Sequence, residues 1–432
     1  MRKRHIDVIS MGCSKNLIDS ERLMRRLEAK GYDVSHDPEK PCGEYVVVNT
    51  CGFINDAKEE SIDMIFSLAK LKQQRRIGTL AVMGCLSQRY MEELKEEMPE
   101  VDRWYGKFDW NGFIESLPDL NDETKPREWE RSLTTPPHSC YIKISEGCNR
   151  HCAFCAIPII TGRHTSRPIE EILEETEELA AKGVKEFNVI AQDLSSYGVD
   201  LYGKSRLAEL VDRMADIKGV EWIRLHYAYP ADFPMDVLDV MAKRDNVCKY
   251  LDIALQHSSD KVLSRMRRRI DRRHTEELIT AIREKVPGIM LRTTMMVGFP
   301  GEGEEEFEEL LEFVRKWRFE RLGAFAYSME DDTYAARHYA DEVDEATKQR
   351  RLDQLMEIQE QISLEENEKM AGMRVKVLID RIQTDGTAIG RTQWDSPEVD
   401  HEVMVKGEGL KPGDFAEVTV TRTYPFELEA DL

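Results

Sequence analysis

Three cysteines stand close together in the middle of the chain. Cys148, Cys152 and Cys155 have the spacing C-x3-C-x2-C, and they follow a strand-like run at 141–145 and a turn at Gly147. Three thiolates on one short loop can bind three irons of a four-iron cluster and leave the fourth iron without a protein ligand. An open iron can bind a small molecule and pass it an electron, so the loop indicates chemistry at the cluster. A zinc site or unligated core thiols are the weaker interpretation, because zinc ligands more often come as separated C-x2-C pairs.

Three further cysteines each stand at the end of a predicted strand in the first third of the chain. Cys13 and Cys85 follow a glycine and Cys51 precedes one, at intervals of 38 and 34 residues. In an open parallel sheet the carboxyl ends of the strands share one edge, and ligands bind there. The three thiols can therefore converge on a second cluster. The alternative is three unrelated buried thiols, since free cysteine is often only a small core residue.

The elements that must position these cysteines alternate between strand and helix patterns. Residues 1–135 predict a doubly wound parallel-sheet α/β domain, in which a helix from Ser20 to Lys30 would be capped by Asp19 or Ser20. Residues 136–345 contain about six further βα units, which fit a full or partial (β/α) barrel. Residues 346–370 predict a linking helix. The short strands and turns of 371–432 predict a small antiparallel β-barrel.

Polar residues follow the predicted barrel strands, and function gathers at the carboxyl ends of such strands. They are candidates to hold a cofactor and a substrate, with ordinary turn or capping roles as the alternative. The candidates are Gln192, Asp193, His226, Tyr227, Gln256, His257, Gly298 and Glu302. The basic run Arg265–Arg273 could hold an anion, but a solvated helix end and loop is the favoured interpretation. Cys42, Cys140 and Cys248 show no ligand spacing and are expected to be structural.

The composition of the chain indicates where the protein is located and which kinds of partner it can bind. The 432 residues include nine cysteines and no apolar run of the roughly 18 residues that span a bilayer, so we expect no membrane segment, no secreted disulfide framework, and a cytoplasmic location. The net charge of −21 argues against general nucleic-acid binding and leaves room for a basic protein as partner. Residues 371–432 hold seven Lys and Arg against twelve Asp and Glu, net −5, which suits an RNA backbone poorly.

The two cysteine sets and the β-rich tail together resemble the methylthiotransferase family of radical S-adenosylmethionine (SAM) enzymes. The C-x3-C-x2-C spacing is that of the radical SAM superfamily, and the resemblance covers essentially the whole chain. Several strings look like the branch that modifies ribosomal protein S12, among them Gly12-Cys-Ser-Lys-Asn16, Cys51-Gly-Phe-Ile54, Gly84-Cys-Leu86, Ala191-Gln-Asp193 and Gly298-Phe-Pro-Gly-Glu302. Ala254 stands where the branch would have proline and Gly303 where it usually has threonine, and neither is a proposed ligand.

The resemblance implies a C–H to C–S conversion that uses two [4Fe–4S] clusters and SAM. A cluster on Cys148, Cys152 and Cys155 would cleave SAM to a radical, which removes a hydrogen from the β-carbon of an S12 aspartate. A cluster on Cys13, Cys51 and Cys85 would supply the sulfur, methylated by a second SAM. The implied architecture is a radical SAM barrel followed by a TRAM-like β-barrel, and the implied partners are ribosomal protein S12 and a reducing electron donor.

Three alternatives stay open at this point. The nearest is a methylthiotransferase that acts on a modified adenosine of tRNA, although the acidic tail makes direct tRNA binding unexpected. The second is a radical SAM enzyme whose N-terminal cysteines are only structural. The third is a non-enzymatic iron–sulfur carrier or RNA-binding adaptor.

Overall fold

The computed structural model describes residues 2–121 and 125–432. The N-terminal part is a five-stranded sheet of order β2-β1-β3-β4-β5, in which every pair of neighbours is parallel. Its elements are β1 (Arg2–Ser10), α1 (Ser14–Ala29), β2 (Asp33–His36), β3 (Gly43–Thr50), α2 (Asn55–Gln73), β4 (Thr79–Gly84), α3 (Cys85–Glu97), β5 (Arg103–Trp104) and α4 (Trp110–Glu115).

Helices cover both faces of this sheet, because the strands are apolar on both sides. Ile65 of α2 and Leu94 of α3 pack against Val46 and Val48 in one core. Leu23 of α1 and Phe113 of α4 belong to a second core with other residues of the same strands. Two separate cores on one parallel sheet define a doubly wound domain.

The central part is an open six-stranded parallel sheet of order β13-β12-β11-β10-β9-β6, which makes a partial (β/α) barrel. One large core lies between these strands and their helices. The elements are β6 (Ser139–Lys143), β7 (Ser145–Glu146), α5 (Ile157–Thr161), β8 (Thr165–Ser166), α6 (Ile169–Ala181), β9 (Glu186–Ile190), a 3-10 turn (Leu194–Ser196), α7 (Val199–Tyr202), α8 (Leu207–Ala215), β10 (Trp222–Ala228), α9 (Asp236–Lys243), β11 (Val247–Ile253), α10 (Asp260–Arg265), α11 (Arg272–Lys285), β12 (Met290–Val297), α12 (Glu304–Trp317), β13 (Arg321–Ala326), α13 (Tyr334–His338) and α14 (Glu345–Glu368).

The C-terminal part is a closed five-stranded barrel of order β14-β15-β16-β18-β17. Its strands are β14 (Arg374–Ile382), β15 (Ala388–Thr392), β16 (Glu402–Lys406), β17 (Phe415–Thr423) and β18 (Glu427–Asp431). The expected antiparallel barrel is correct for four of the pairs, but β16 and β18 are parallel. A closed ring with an odd number of strands cannot alternate direction all the way round, so one parallel pair is unavoidable.

Buried ion pairs fasten the C-terminal barrel to the central sheet. Glu186 of β9 accepts from Arg391 at 2.7 Å and from Arg224 at 3.0 Å, and all three side chains are buried. Burial alone would raise the pKa of Glu186, but the two guanidinium groups lower it well below its usual range. Arg321 of β13 is bound in the same way by Asp395, at 2.7 Å. Removing one partner of such a pair would leave an uncompensated buried charge, so the two parts form one unit.

The first helix begins earlier than its sequence pattern predicts. α1 starts at Ser14, directly after Cys13, and not at Ser20. Asp19 therefore lies inside the helix, where its carboxylate binds Lys107 and Lys143. The predicted cap is wrong because distant lysines use this carboxylate, and because Ile18 packs in a small core with Tyr141 and Ile190 that extends the helix backwards.

No helix in the described part of the chain combines the length and the apolar composition that a membrane crossing requires.

A buried histidine makes the stability of the barrel attachment depend on pH. His401 accepts from Asn367 at Nδ1 and shares a hydrogen bond with Ser363 at Nε2, both on α14. Burial and the charge of Arg321 lower the pKa of His401 to about 3, against a partial opposing effect of Asp395. The unfolded chain binds this proton near pH 6.5, so the stability that the neutral ring provides is lost as the pH falls below that value.

We expect His401→Gln to flatten the pH dependence of stability. Between pH 6 and pH 5 the wild-type chain should lose about 1 kcal/mol more of its unfolding free energy than the variant does. Urea denaturation at several pH values measures this difference. His274→Gln is the control, because that histidine is exposed. Equal slopes for His401→Gln and the wild type would contradict the assignment.

Candidate functional site

The loop after β7 brings Cys148, Cys152 and Cys155 together. The thiol pKa values of Cys148 and Cys155 are raised, first by burial and also by neighbouring thiols of the same loop. The backbone N–H of Arg150 donates to Cys148 Sγ at 3.4 Å. Three thiols on one buried loop, with a backbone donor aimed at sulfur, fit a cluster that needs three thiolate ligands and hydrogen bonds to sulfur.

A guanidinium and a phenol also face this loop. Arg268 donates from Nη1 to Cys152 Sγ at 3.4 Å, and the Tyr229 hydroxyl lies 3.7 Å from the same sulfur. The two side chains hold one another, because the Tyr229 hydroxyl donates to the Arg268 carbonyl at 2.6 Å and the guanidinium lies over the ring. The expectation that the whole run Arg265–Arg273 is solvated is therefore wrong for Arg268, which is buried against the cysteine loop.

The second cysteine set lies at the strand ends, as the sequence predicts for each of its members. Cys13 follows β1 and α1 begins next to it, Cys51 follows β3, and Cys85 begins α3 directly after β4. A Cβ added at Gly12 would lie 2.6 Å from Cys51 Sγ, so the Cys13 and Cys51 loops touch. A Cβ at Gly52 would lie 2.6 Å from the backbone of Leu86, next to Cys85. The three cysteine loops therefore lie next to one another at one edge of the sheet.

The pKa of Cys85 also depends on the thiols of the two neighbouring loops. Burial raises the pKa of Cys85 to about 12, and the Cys13 and Cys51 thiols contribute in the same direction. Lys107 opposes the rise, so its ammonium lies close enough to stabilise thiolates here. The helices α1 and α3 also begin at this edge, and their N-termini favour a negatively charged group.

Two asparagines and a threonine fix the cysteine loops. The Asn16 amide donates to the carbonyls of Met11 and Asn49 at 2.9 and 3.1 Å. Asn49 donates in return to the Asn16 carbonyl at 3.0 Å, and the Thr50 hydroxyl donates to the Met83 carbonyl at 2.6 Å. These bonds tie the ends of β1, β3 and β4 together, so the positions of the three thiols depend on a rigid edge.

A buried chain of charges joins the two cysteine sets. Lys107 donates to Asp19 at 2.8 Å. Lys143, at the end of β6, also donates to Asp19, and it donates to Glu146 at 2.7 Å. Glu146 lies two residues before Cys148. In addition, α3, which begins at Cys85, packs against α5 just after the Cys148–Cys155 loop. The two sites therefore belong to one cleft between the N-terminal sheet and the partial barrel.

Within residues 2–121 and 125–432, three of the polar candidates at the strand ends have a buried oxygen without a hydrogen-bond partner. These are Gln192 Oε1, Asp193 Oδ1 and Gln256 Oε1. The other Asp193 oxygen accepts from Arg150 at 2.7 Å, and Gln256 has a φ of +74°, a strained conformation for a residue with a Cβ. A buried oxygen without a partner costs free energy unless a ligand satisfies it, so these three side chains are free to contact a bound molecule.

Four other candidates, His226, His257, Gly298 and Glu302, are engaged within the protein. His257 Nε2 and Glu302 Oε2 are 3.1 Å apart, and the other Glu302 oxygen accepts from the Gly298 N–H at 2.9 Å and from Arg351 at 2.7 Å. A Cβ at Gly298 would lie 2.4 Å from Lys348, so glycine is needed for the close approach of α14. His226 is buried and its pKa is lowered by burial and by Arg224 and Arg292, so the ring is neutral.

Sequence reasoning did not identify the charged residues around the cysteines. Asp19, Lys107, Lys143 and Arg268 come from four separate parts of the chain, and their spacing gives no motif. Two of them had a local signal that was interpreted differently: Arg268 lies in an unusually basic run that was taken as a solvated surface, and Asp19 was taken as a helix cap.

Sequence comparison identifies the parts of the chain. Residues 142–314 match the radical SAM superfamily, residues 5–106 match the uncharacterized protein family UPF0004, and residues 371–432 match the TRAM domain. Together with the cysteine loop and the partial barrel, these matches define a radical SAM enzyme, whose class uses a [4Fe–4S] cluster and SAM.

Relatives that match over their full length identify the family to which the chain belongs within the radical SAM class. A protein of Porphyromonas gingivalis is 58% identical over 100% of this chain and 99% of the relative, and one of Bacteroides fragilis is 57% identical over 100% of both. A third, from Cytophaga hutchinsonii, is 47% identical over 100% of this chain and 98% of the relative. All three are named ribosomal protein uS12 methylthiotransferase RimO. The chain belongs to the RimO family of radical SAM methylthiotransferases.

Solved structures agree on the fold. The radical SAM methyltransferase TsrM of Kitasatospora setae, with cobalamin and a [4Fe-4S] cluster bound, superposes with a TM-score of 0.55 at 16% identity, over 86% of this chain and 79% of that one. The cobalamin-dependent radical enzyme OxsB superposes with a TM-score of 0.51 at 13% identity, over 83% and 56%. At these identities the likeness concerns the fold alone.

We expect Arg268→Met to impair the reduction of the [4Fe–4S] cluster of this radical SAM enzyme. Loss of a charged donor to Cys152 Sγ should shift the midpoint potential to a more negative value and slow SAM cleavage about 10- to 100-fold. A redox titration followed by electron paramagnetic resonance measures the shift. The neighbouring Arg269 is exposed, so Arg269→Met is the matched control. An unchanged potential in Arg268→Met would contradict the expected effect.

Proposed function

We propose that this protein adds a methylthio group to the β-carbon of an aspartate in ribosomal protein uS12. The observation that carries the proposal is the buried chain of Lys107, Asp19 and Lys143, which connects the surroundings of the two sets of three cysteines. A C–H to C–S conversion needs one site that makes a radical and another that delivers sulfur, and both must reach the same carbon. The proposal assigns the reaction to the cytoplasm, where ribosomal proteins are found.

The two metal sites have different roles in this proposal. Cys148, Cys152 and Cys155 bind the cluster that holds SAM, and Cys13, Cys51 and Cys85 bind a second [4Fe–4S] cluster. Lys107 supports the second assignment, because its ammonium is buried beside Cys85 and favours thiolate ligands. The accompanying domain assignment is 1–135 for the second cluster, 136–345 for the radical SAM barrel, 346–370 for the linking helix and 371–432 for the TRAM-like barrel.

We assign SAM to the carboxyl ends of the barrel strands. Gln192, Asp193 and Gln256 have buried oxygens free to accept hydrogen bonds from its amino and hydroxyl groups. His257, Gly298 and Glu302 complete the proposed pocket, and their mutual hydrogen bonds hold its wall in position. When bound, the clusters and SAM supply the radical that removes the β-hydrogen and the sulfur and methyl group that replace it. An external reductant must provide the electron.

The protein's own residues position the reactants and keep water away. Lys58 and Arg89 of the N-terminal domain donate to Glu330 of the barrel at 2.9 and 3.0 Å, which closes one side of the cleft. Arg131 binds Glu21 and Glu175 at 2.5 and 2.8 Å, all buried, on another part of the same interface. These contacts fix the separation of the two cysteine sets, so a carbon placed between them can be reached from both.

The substrate assignment has two supports. The full-length relatives carry uS12 in their names. The C-terminal barrel has a net charge of −5, which suits a basic protein better than the phosphates of tRNA.

Mass spectrometry after an anaerobic reaction tests the proposal. Reconstituted protein, dithionite, SAM and sulfide should be offered a uS12-derived peptide and a tRNA anticodon arm together. We expect the peptide to gain one methylthio group in place of one hydrogen on its aspartate, and the RNA to stay unchanged. The variant in which Cys13, Cys51 and Cys85 are alanine should still cleave SAM but leave the peptide unmodified.

Cys42→Ala is the control for this variant, because Cys42 lies in the same domain outside both cysteine sets. It should modify the peptide as the wild type does. A modified RNA beside an unmodified peptide would overturn the substrate assignment. Modified peptide from the triple-alanine variant would overturn the sulfur-delivering role of the second site.

Gly12→Ala should remove the second cluster selectively. The added methyl group would lie 2.6 Å from Cys51 Sγ, so the thiols cannot keep their positions. We expect the iron content to fall from about eight to about four per chain, while SAM cleavage persists. Gly203→Ala is the matched control, since Gly203 has a similar φ of +73° but no atom within 4 Å of the new Cβ. About eight irons in Gly12→Ala would contradict the close approach described here.

A further inference from the structure

Lys15 has a charge that no carboxylate in the described ranges neutralises. The side chain is half-buried in the first turn of α1, two residues after Cys13. Its ammonium lies over the ring of Tyr227, with Nζ 3.3 Å from the centroid, and the described residues give it no hydrogen bond or ion pair. The neighbouring Lys107 and Lys143 are different, because both are bound by carboxylates. Lys15 is therefore a cation that is available to a ligand.

The contact between Lys15 and Tyr227 spans the cleft. Lys15 belongs to the N-terminal domain, whereas Tyr227 stands near the carboxyl end of β10 in the partial barrel. Tyr227 is 37% exposed and has a φ of +63°, a conformation that costs free energy for a tyrosine. Its backbone N–H donates to Asp252 Oδ2 at 3.2 Å, which holds the strained residue in place. The ammonium thus lies where the Cys13 loop meets the mouth of the barrel.

We propose that Lys15 binds the side-chain carboxylate of the aspartate that is modified. This inference rests on the function proposed above. In that reaction the β-carbon is bonded directly to the carboxyl carbon, so a cation that holds the carboxylate also fixes the carbon that reacts. A carboxylate taken out of water into a cleft needs a partner of opposite charge. Lys15 provides that charge at the interface which both cysteine sets share.

Lys15 must leave the Tyr227 ring when the substrate binds, and the contact between the two side chains allows this. A cation over an aromatic face is held less strongly than one in a charge-assisted hydrogen bond to a carboxylate. The arriving aspartate can therefore replace the ring as the partner of Lys15. Nearby positive groups do not compete for it, because Arg292 is bound to Asp252 and Asp400, and burial and neighbouring cations keep His226 neutral.

Peptide binding to the reconstituted holoenzyme tests the role of Lys15. Fluorescence anisotropy, without reductant, compares a labelled uS12 peptide with the same peptide carrying asparagine at the target position. We expect Lys15→Met to weaken binding of the aspartate peptide about 10- to 100-fold and to leave binding of the asparagine peptide unchanged. Lys15→Arg keeps the charge and should recover much of the loss. Lys40→Met removes an exposed lysine from the same domain and should bind as the wild type does.

The outcomes separate this inference from the proposed function. Equal affinity of Lys15→Met and the wild type for the aspartate peptide, or an equal loss for both peptides, would overturn the role of Lys15. The same holds if Lys15→Arg loses as much as Lys15→Met. Failure of the wild-type enzyme to modify the aspartate peptide in the mass-spectrometric assay would overturn the proposed function itself.

Discussion

One largely buried carboxylate determines how the two halves of the cleft face each other. Asp19 lies on the helix that follows Cys13, and it binds Lys107 beside Cys85 and Lys143 before Cys148. Burial alone would raise its pKa, but the two ammonium groups lower it below the usual range, so the group stays ionised. Burying any one of these three charges without a partner would cost free energy. All three have partners only in one arrangement of the domains. The geometry of both cysteine sets depends on that arrangement.

The positions of the cysteines could be predicted from sequence, whereas their surroundings could not. A thiol directly after an apolar strand is placed by the sheet itself, which is why Cys13, Cys51 and Cys85 were expected to meet. Lys107 and Arg268 are different, because each reaches a cysteine across a tertiary contact of long sequence separation. Local patterns carry no information about such contacts. For the same reason, the pairing of His257 with Glu302 was not visible in the sequence.

In the fold, too, local patterns predict the elements, whereas features that depend on long-range contacts were missed. The doubly wound domain, the βα units and the final β-barrel follow from the period of apolar residues and were predicted correctly. The start of α1 was missed because Asp19 looked like a capping residue, and only the structure reveals the lysines that occupy it. The parallel pair β16 and β18 was missed because strand direction in a closed barrel depends on the number of strands, which no single segment encodes.

Carboxylates of the C-terminal barrel and of the central part neutralise much of the barrel's positive charge. Arg391 is buried against Glu186, and Arg381, Lys406 and Lys376 are paired with Glu402, Glu429 and Glu221. What this end of the protein presents to its surroundings is therefore a field dominated by unpaired carboxylates. Such a field acts over a Debye length of about 8 Å at physiological ionic strength, so it steers the approach of a partner more than it strengthens the final complex. Added salt would then slow capture of a basic protein while the lifetime of the bound complex stays nearly the same.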